Sequence, residues 1–395
     1  MALESDVQMD GHKGIAVSRR FFVLTVAIAV FYVPLALNYA WPLFAPGLSR
    51  WQDTVNSVIN GRTYAVGDGS VESVRHGAYA EHRVVLMVHT TLAGLALTLG
   101  LFQFSSRLRT RGPAVHRWIG RSYLALMSAS MLTALVFLYF TPPAQHFIGP
   151  AFETQLRALA IGTLGSAWYA VYAIRRRDVI THQAWMTYGI ALMMTAPLLR
   201  VIWIGIQPLI PQHDLLTNIG VGSIVLGVAA PGSAVFAFML AQHPKVDAVA
   251  ASTPRRVYFF ALALAIAGSL TYAALVLRLP AAIPHSLALF HLVPAWISIA
   301  IAARGVFRAR AAGDVARERH WRWLLWGFAA APTAASLYAQ IVPPAFTTAD
   351  AVLAGGMDGP VIPITVAFAL VVHAAARSQR RTDDDLDEPN VLAAA

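Results

Sequence analysis

Apolar runs recur along this chain, and the loops between them alternate strictly between basic and non-basic. A bilayer core of about 30 Å takes roughly 20 apolar residues in a helix. Runs of that order begin near Phe21, Arg83, Ile119, Leu156, Ala184, Ile219, Val257, Leu287, Leu324 and Pro360, the last being the shortest. Only 13% of the 395 residues are charged and 57% are hydrophobic, whereas an ordinary soluble domain carries about 25% charge. The expected fold class is therefore all-α: a polytopic transmembrane helical bundle of about ten spans. The run from Phe21 to Trp41 is too long for the core of a signal peptide and lacks a small-x-small cleavage site, so it reads as a retained first span.

Orientation follows from Lys and Arg, which stay on the cytoplasmic side. The basic segments are the N-terminus (Lys13, Arg19, Arg20), the loops around Arg107–Arg121, Arg175–Arg177, Lys245–Arg256 and Arg304–Arg322, and the tail (Arg377, Arg380, Arg381). They hold roughly 23 of the 30 Lys and Arg. The segments around Thr141, Gln207, Pro280 and Pro343 hold almost none. The sequence thus divides into a cytoplasmic N-terminal segment (1–20), a transmembrane helical domain (21–376) and a cytoplasmic acidic tail expected to be disordered (377–395). The predicted location is the cell's inner (cytoplasmic) membrane, with both termini cytoplasmic and the lipid bilayer as the first partner. The net charge of +10 is then a topology signal, since the basic residues are scattered over every inner loop. A nucleic-acid partner, which needs one basic face, is not expected.

The long outer loop after the first span places Leu48, Trp51, Val55, Val58 and Ile59 at helical spacing, with Ser49 and Gln52 positioned as a capping box. It predicts a short helix lying on the outer interface, or one whose apolar face covers the mouth of the bundle. The segment from Pro343 to Gly359, rich in Pro and Gly and acidic, reads as an external loop without visible chemistry. Glu153 and Arg157, four apart, read as a surface pair.

No cysteine is present, which excludes disulfides, thiolate metal sites and covalently attached c-type haem. A metal or haem must use histidine. Three histidines open spans beside tryptophan on the basic side, in His116-Arg117-Trp118, His182-Gln183-Ala184-Trp185 and His320-Trp321-Arg322-Trp323. Headgroup anchoring accounts for such residues, and a shared cofactor role is the competing reading. His89 and His291 lie deeper, seven residues below His82 and six below His285, or about 9–10 Å under the outer surface at 1.5 Å per residue. Two imidazoles at one depth on facing helices are what ligation of haem b iron by two histidines requires. Ala93, Ala96 and Gly100 continue the His89 face with little bulk, which suits a flat macrocycle or close helix packing. Histidines satisfied within a polar interior, or a metal, proton or substrate site, are the other readings. Arg200 reaches a similar depth and should snorkel or pair with an anion such as a haem propionate, a carboxylate or a lipid phosphate. Pro197 could bend the helix beside it.

The stretch His89-Thr-Thr-Leu-Ala-Gly94, then Gly100, Gln103, Arg107, Arg109 and His116-Arg117-Trp118-Ile119-Gly120-Arg121-Ser122-Tyr123, resembles a bacterial integral-membrane family known as domain of unknown function 2306. Trp168, Asp178, His182, Trp185, Met186 and Arg200 are similar to that family's second half, so the resemblance covers about residues 82–200. It implies a membrane protein and no particular activity. Gln183 and Tyr188 stand where the family often carries basic residues, so no anion site follows for the inner cluster. A looser similarity of architecture extends to transmembrane di-haem b-type cytochromes.

No phosphate loop, dinucleotide fingerprint or HExxH motif is present, and whether the chain is an enzyme is open. Two functional classes remain: a b-type haem-binding transmembrane redox protein with a site near the outer leaflet and an electron-transfer partner, or a small-molecule transporter or ligand-binding membrane protein without haem. Few acidic residues lie in the spans, which argues against a carboxylate relay. An internal repeat is expected, the second and third spans against the eighth and ninth, both pairs starting outside. Reporter fusions after Gly112, Arg176, Asp247 and Gly313 should read cytoplasmic and those after Gly67, Gln145 and Gly355 external. One inverted loop would break the assignment of every later span.

Overall fold

The computed structural model describes residues 19–387 except 46, 71–72, 74–77, 210–213, 242–253, 255, 281–284 and 343–345. The side chains of 19–22, 24, 25, 28, 106, 107 and 381–387 are likewise outside the description, as are Lys13, Lys245 and Pro343. The described residues form helices only. They are α1 (Arg19–Asn38), α2 (Trp51–Asn60), α3 (Arg62–Val66), α4 (Arg83–Gln103), α5 (Ser106–Arg111), α6 (Pro113–Phe140), α7 (Pro150–Arg175), α8 (Val179–Met193), α9 (Thr195–Leu209), α10 (Leu215–Ala241), α11 (Arg256–Leu277), α12 (Leu287–Ala311), α13 (Val315–Ile341), α14 (Thr348–Asp358) and α15 (Val361–Asp387). The fold is an all-α membrane bundle.

Seven described stretches are long and apolar enough to cross a bilayer: Arg83–Gln103, Pro113–Phe140, Val179–Leu209, Leu215–Ala241, Arg256–Leu277, Leu287–Ala311 and Thr348–Arg380. With α1, α7 and α13 they make the ten long helical units expected from the apolar runs. Two units are interrupted by proline. Pro197, inside α9, has no N–H for the Met193 carbonyl, and the helix breaks at Met194. Pro360 divides α14 from α15 in the same way.

α10 is the central helix. It is apolar on every side and buried along most of its length against α8, α9, α12, α14 and α15. Its small residues permit that crowding. A Cβ at Gly227 would stand 2.5 Å from the Met357 carbonyl oxygen and 2.6 Å from that of Gly356, so only glycine lets α14 end against α10. The far side of α14 is equally tight, because Gly355 and Gly359 lie against the backbone of α13 at Ala335. Within the segment expected to be an external loop, residues 343–345 lie outside the described residues, and Thr348–Asp358 is therefore a helix, largely buried from Val352 onward. Its glycines, which read as loop signals in sequence, serve close packing. The last span is correspondingly longer than expected, and α15 continues through Asp387 into the acidic run expected to be disordered.

Helix hairpins α4–α6, α7–α8 and α12–α13 pack as pairs, and the repeat is visible in two of them. Asp178 and Asp314 both cap the next helix, accepting from Thr181 N at 3.0 Å and Arg317 N at 2.9 Å. Their own N–H groups reach back to Ala173 O at 3.0 Å and Ala309 O at 2.9 Å. The residue before each is left-handed, Arg177 at φ 61° and Gly313 at φ 68°. The turn that repeats thus joins the fourth and fifth spans and the eighth and ninth. The α4–α6 connection, expected to be the first copy, carries the extra helix α5 with its own Ser105 cap instead.

Gly227→Ala should lower the melting temperature of purified protein by several degrees, the consequence of a backbone clash costing about 1–3 kcal/mol. Gly165→Ala, where a Cβ meets nothing within 4 Å, should be neutral or slightly stabilising.

Candidate functional site

The α1–α4–α6–α7–α9 side of the bundle encloses a cavity of about 170 Å³ whose lining includes Tyr32, Tyr39, Tyr79, His89, Arg200 and Trp203. α1 supplies Tyr32 and Tyr39 from one face, seven residues apart. α9 supplies Arg200 from just beyond the break made by Pro197. The guanidinium donates to Ala196 O at 2.9 Å and lies 5.2, 5.4 and 5.4 Å from the ring centres of Tyr32, Tyr39 and Trp203. Cation–π contact of this kind holds an arginine in place without neutralising it. No carboxylate among the described residues pairs with Arg200.

His89 lines the same cavity. Its Nδ1 lies 2.8 Å from Ser130 O and 3.1 Å from Ser130 Oγ, and that hydroxyl donates to His89 O at 3.0 Å. The bond to a carbonyl fixes Nδ1 as the protonated nitrogen, so Nε2 is the acceptor. Below it, Ala93 lines the cavity, but Gly100 is closed over by the Tyr123 ring, whose Cε2 would lie 3.1 Å from an added Cβ. That part of the small-residue face is helix packing.

His291 is elsewhere. It is fully buried in α12 with its ring 4.5 Å from that of Tyr272 on α11, and it lines neither this cavity nor the inner one described below. α12 packs on α10, α11 and α13, whereas α4 packs on α1 and α6. The expected facing pair is thus not formed, and the residues do not fit a haem held between His89 and His291. Equal depth on two helices did not imply a common interface. The described residues contain no group of three or more His, Asp or Glu able to hold a metal ion.

Of the three inner histidines, two come near one another and the third stands apart. His116 lies within electrostatic reach of His182, Arg109 and Arg117, and His182 Nδ1 meets Ala170 O at 2.9 Å. His320 is buried on α13, its ring 6.1 Å from that of Trp323. The tryptophans divide too: Trp118 is 67% exposed, as an interfacial anchor should be, whereas Trp321 is buried over Gly305.

α2 and α3 dock against the end of α1 and against α9, next to the cavity-lining Trp203. The expected short helix is present, although Arg50 rather than Ser49 is its N-cap and no side chain of its own caps it. Asn38 does this from the end of α1, accepting from Trp51 N at 2.8 Å. The polar face of α2 turns inward: Gln52 and Asn56 are buried, and Asn60 donates to Ile204 O at 3.0 Å. Tyr64 on α3 donates to Trp203 O at 3.1 Å. Trp51, Val58 and Ile59 face outward, so the apolar face lies toward the interface and the polar face toward the bundle. Glu153, expected at the surface, is buried and bonded by Arg157 Nε at 2.7 Å, with His146 Nε2 3.9 Å away.

A second cavity of about 250 Å³ lies inward, lined by Ser166, Trp185, Tyr188, Gly227, Asp358 and Thr365 among others. Gln155, Leu159, Leu192 and Thr195 line both cavities and so form the wall between them. The three tyrosines, Gln155, Thr195 and Asp358 were not singled out by sequence pattern. The seven-residue spacing of Tyr32 and Tyr39 was the available signal for the first two, and an isolated aspartate in an apolar stretch for the last.

Residues 86–241 match the family described as predicted membrane protein (DUF2306). The expected resemblance over residues 82–200 is therefore borne out and runs on to the end of α10, taking in His89, Arg200 and the wall between the cavities. No curated protein and no solved structure matches the chain.

The docked α2 has a pH signature. Asp53, on α2 outside the spans, is raised from 3.8 to about 6 by burial, with Arg50 opposing. Its native pKa exceeds its unfolded one, so its contribution is fully present below about pH 4 and is lost as pH rises through about 6. The melting temperature of Asp53→Asn minus that of wild type should therefore grow over this interval. A constant difference would show that Asp53 is not buried under the docked helix.

Proposed function

We propose that this chain is a small-molecule-binding protein of the inner membrane, with both termini cytoplasmic, and that its outer cavity takes a small carboxylate with an apolar body. The observation that carries the reading is Arg200: a cation inside a span, fixed by a carbonyl and three aromatic rings, facing a cavity with no carboxylate of its own. An arginine in a membrane interior requires an anionic partner or a path to water. A carboxylate accepts the planar guanidinium fork bidentately. His89 Nε2 and the tyrosines offer further polar contacts, while Phe137, Phe147 and Phe152 supply the apolar lining. The Lys and Arg count supports the stated orientation.

Benzoate is the test ligand and benzamide its neutral counterpart. Benzoate should raise the melting temperature of the detergent-purified full chain, by about 2.7 kcal/mol of stabilisation at 100 times its Kd, and benzamide should not. Arg200→Leu should abolish the benzoate response. Arg200→Lys, which keeps the charge and loses the fork, should weaken it severely. Equal stabilisation of wild type and Arg200→Leu, or no response in wild type, would sink the reading.

A further inference from the structure

Asp358 ends α14 inside the bundle, 5% exposed. The Tyr338 hydroxyl lies within hydrogen-bonding reach of the carboxyl, whose Oδ2 has no hydrogen-bond partner, and Asp358 is among the residues lining the inner cavity. No arginine, lysine or histidine among the described residues pairs with it. A buried carboxyl group left without a cation is expensive in a membrane interior unless something neutralises it. Its position sharpens this, because the carbonyl end of a helix is itself electronegative and Pro360 has no N–H to give the Gly356 carbonyl. The site therefore concentrates negative potential at one end of an otherwise apolar cavity.

The remaining lining defines the shape of what would answer that charge. Trp185 and Tyr188 contribute aromatic rings, which favour a cation beside them. Leu159, Leu192 and Leu226 surround an apolar body. The volume of about 250 Å³ exceeds what a bare metal ion or a few waters require. The mouth lies at Ala158 and Gly165, seven residues apart on the exposed face of α7 that also carries Ile161 and Trp168. Exposed apolar residues within a span face lipid, so this entrance is reached from the bilayer.

We infer that the inner cavity is a second binding site, for a small lipophilic amine that enters from the bilayer and pairs its ammonium group with Asp358. It is distinct from the Arg200 cavity and of opposite charge preference. Gln155 and Thr195 stand between the two.

The test uses benzylamine, protonated near neutral pH, against neutral benzyl alcohol, read as thermal stabilisation of the detergent-purified full chain. Benzylamine should stabilise wild type, and its apparent Kd should weaken by about tenfold or more in Asp358→Asn, a change of about 1.4 kcal/mol or more. Gly165→Leu fills the mouth at a position where a Cβ meets nothing within 4 Å. It should weaken benzylamine similarly while keeping the carboxylate, and it decides the matter if Asp358→Asn does not fold. Arg200→Leu should leave the benzylamine response intact, so failure of this proposal and failure of the carboxylate reading are separable. The inference is overturned if benzyl alcohol stabilises as well as benzylamine, or if benzylamine acts equally on wild type and Gly165→Leu. It is also overturned if benzylamine has no effect while sodium chloride stabilises more than choline chloride, or while pH alone moves the melting temperature through Asp358.

Discussion

The close approach of α14 to α10 at Gly227 organises much of this molecule. Because no side chain separates the two helices there, the carbonyls of Gly356 and Met357 reach the surface of the central helix, and the next residue, Asp358, is carried into the interior. Lipid tails provide no hydrophobic drive between helices, so contacts of this kind depend on small residues and van der Waals fit. The same logic operates on the other side of α14, where Gly355 and Gly359 meet α13. A segment with that many glycines would fray if exposed. Held on both sides, it becomes one of the most buried pieces of the bundle.

The charges inside the bundle follow from how the backbone is interrupted. Pro197 and Pro360 each break a span, and each break lies next to a charged residue: Arg200 begins one turn after the first, and Asp358 immediately precedes the second. A break widens the local packing and leaves a carbonyl without its helical donor. The two cavities sit at these breaks and share a polar wall of Gln155 and Thr195. Gln155 is anchored by donating to Ser223 O on α10 at 2.9 Å, which fixes its position between the two sites.

What the sequence made legible was governed by one-dimensional signals. Apolar run length located the ten helical units, and His89 and Arg200, expected at similar depth, line one cavity. Depth is a coordinate along a helix, however, and says nothing of azimuth or of which helices are neighbours. His291 has the right depth and lies in another part of the bundle against Tyr272. Composition misled at 343–359, because glycine and proline signal a loop in water and close packing or a kink in lipid. Once that stretch had been read as a loop, Asp358 looked like a solvated surface residue. The capping role of Asn38 was illegible for a related reason: it depends on α1 ending beside α2, a tertiary fact.

The repeated hairpin packs differently in its two copies, and the difference bears on the inner cavity. α7–α8 and α12–α13 share the same turn, with a left-handed residue, an aspartate cap and a tryptophan seven residues later. In the second copy, Gly305 lets Trp321 lie flat against α12, and the tryptophan is buried. In the first, the residue nine before the cap is Tyr169, whose ring meets Trp185 edge-on at 5.4 Å. A tyrosine at that place holds the tryptophan away from its partner helix, and Trp185 instead lines the inner cavity. One position, glycine in one copy and tyrosine in the other, thus decides whether the hairpin closes on itself or leaves room between its helices for something else.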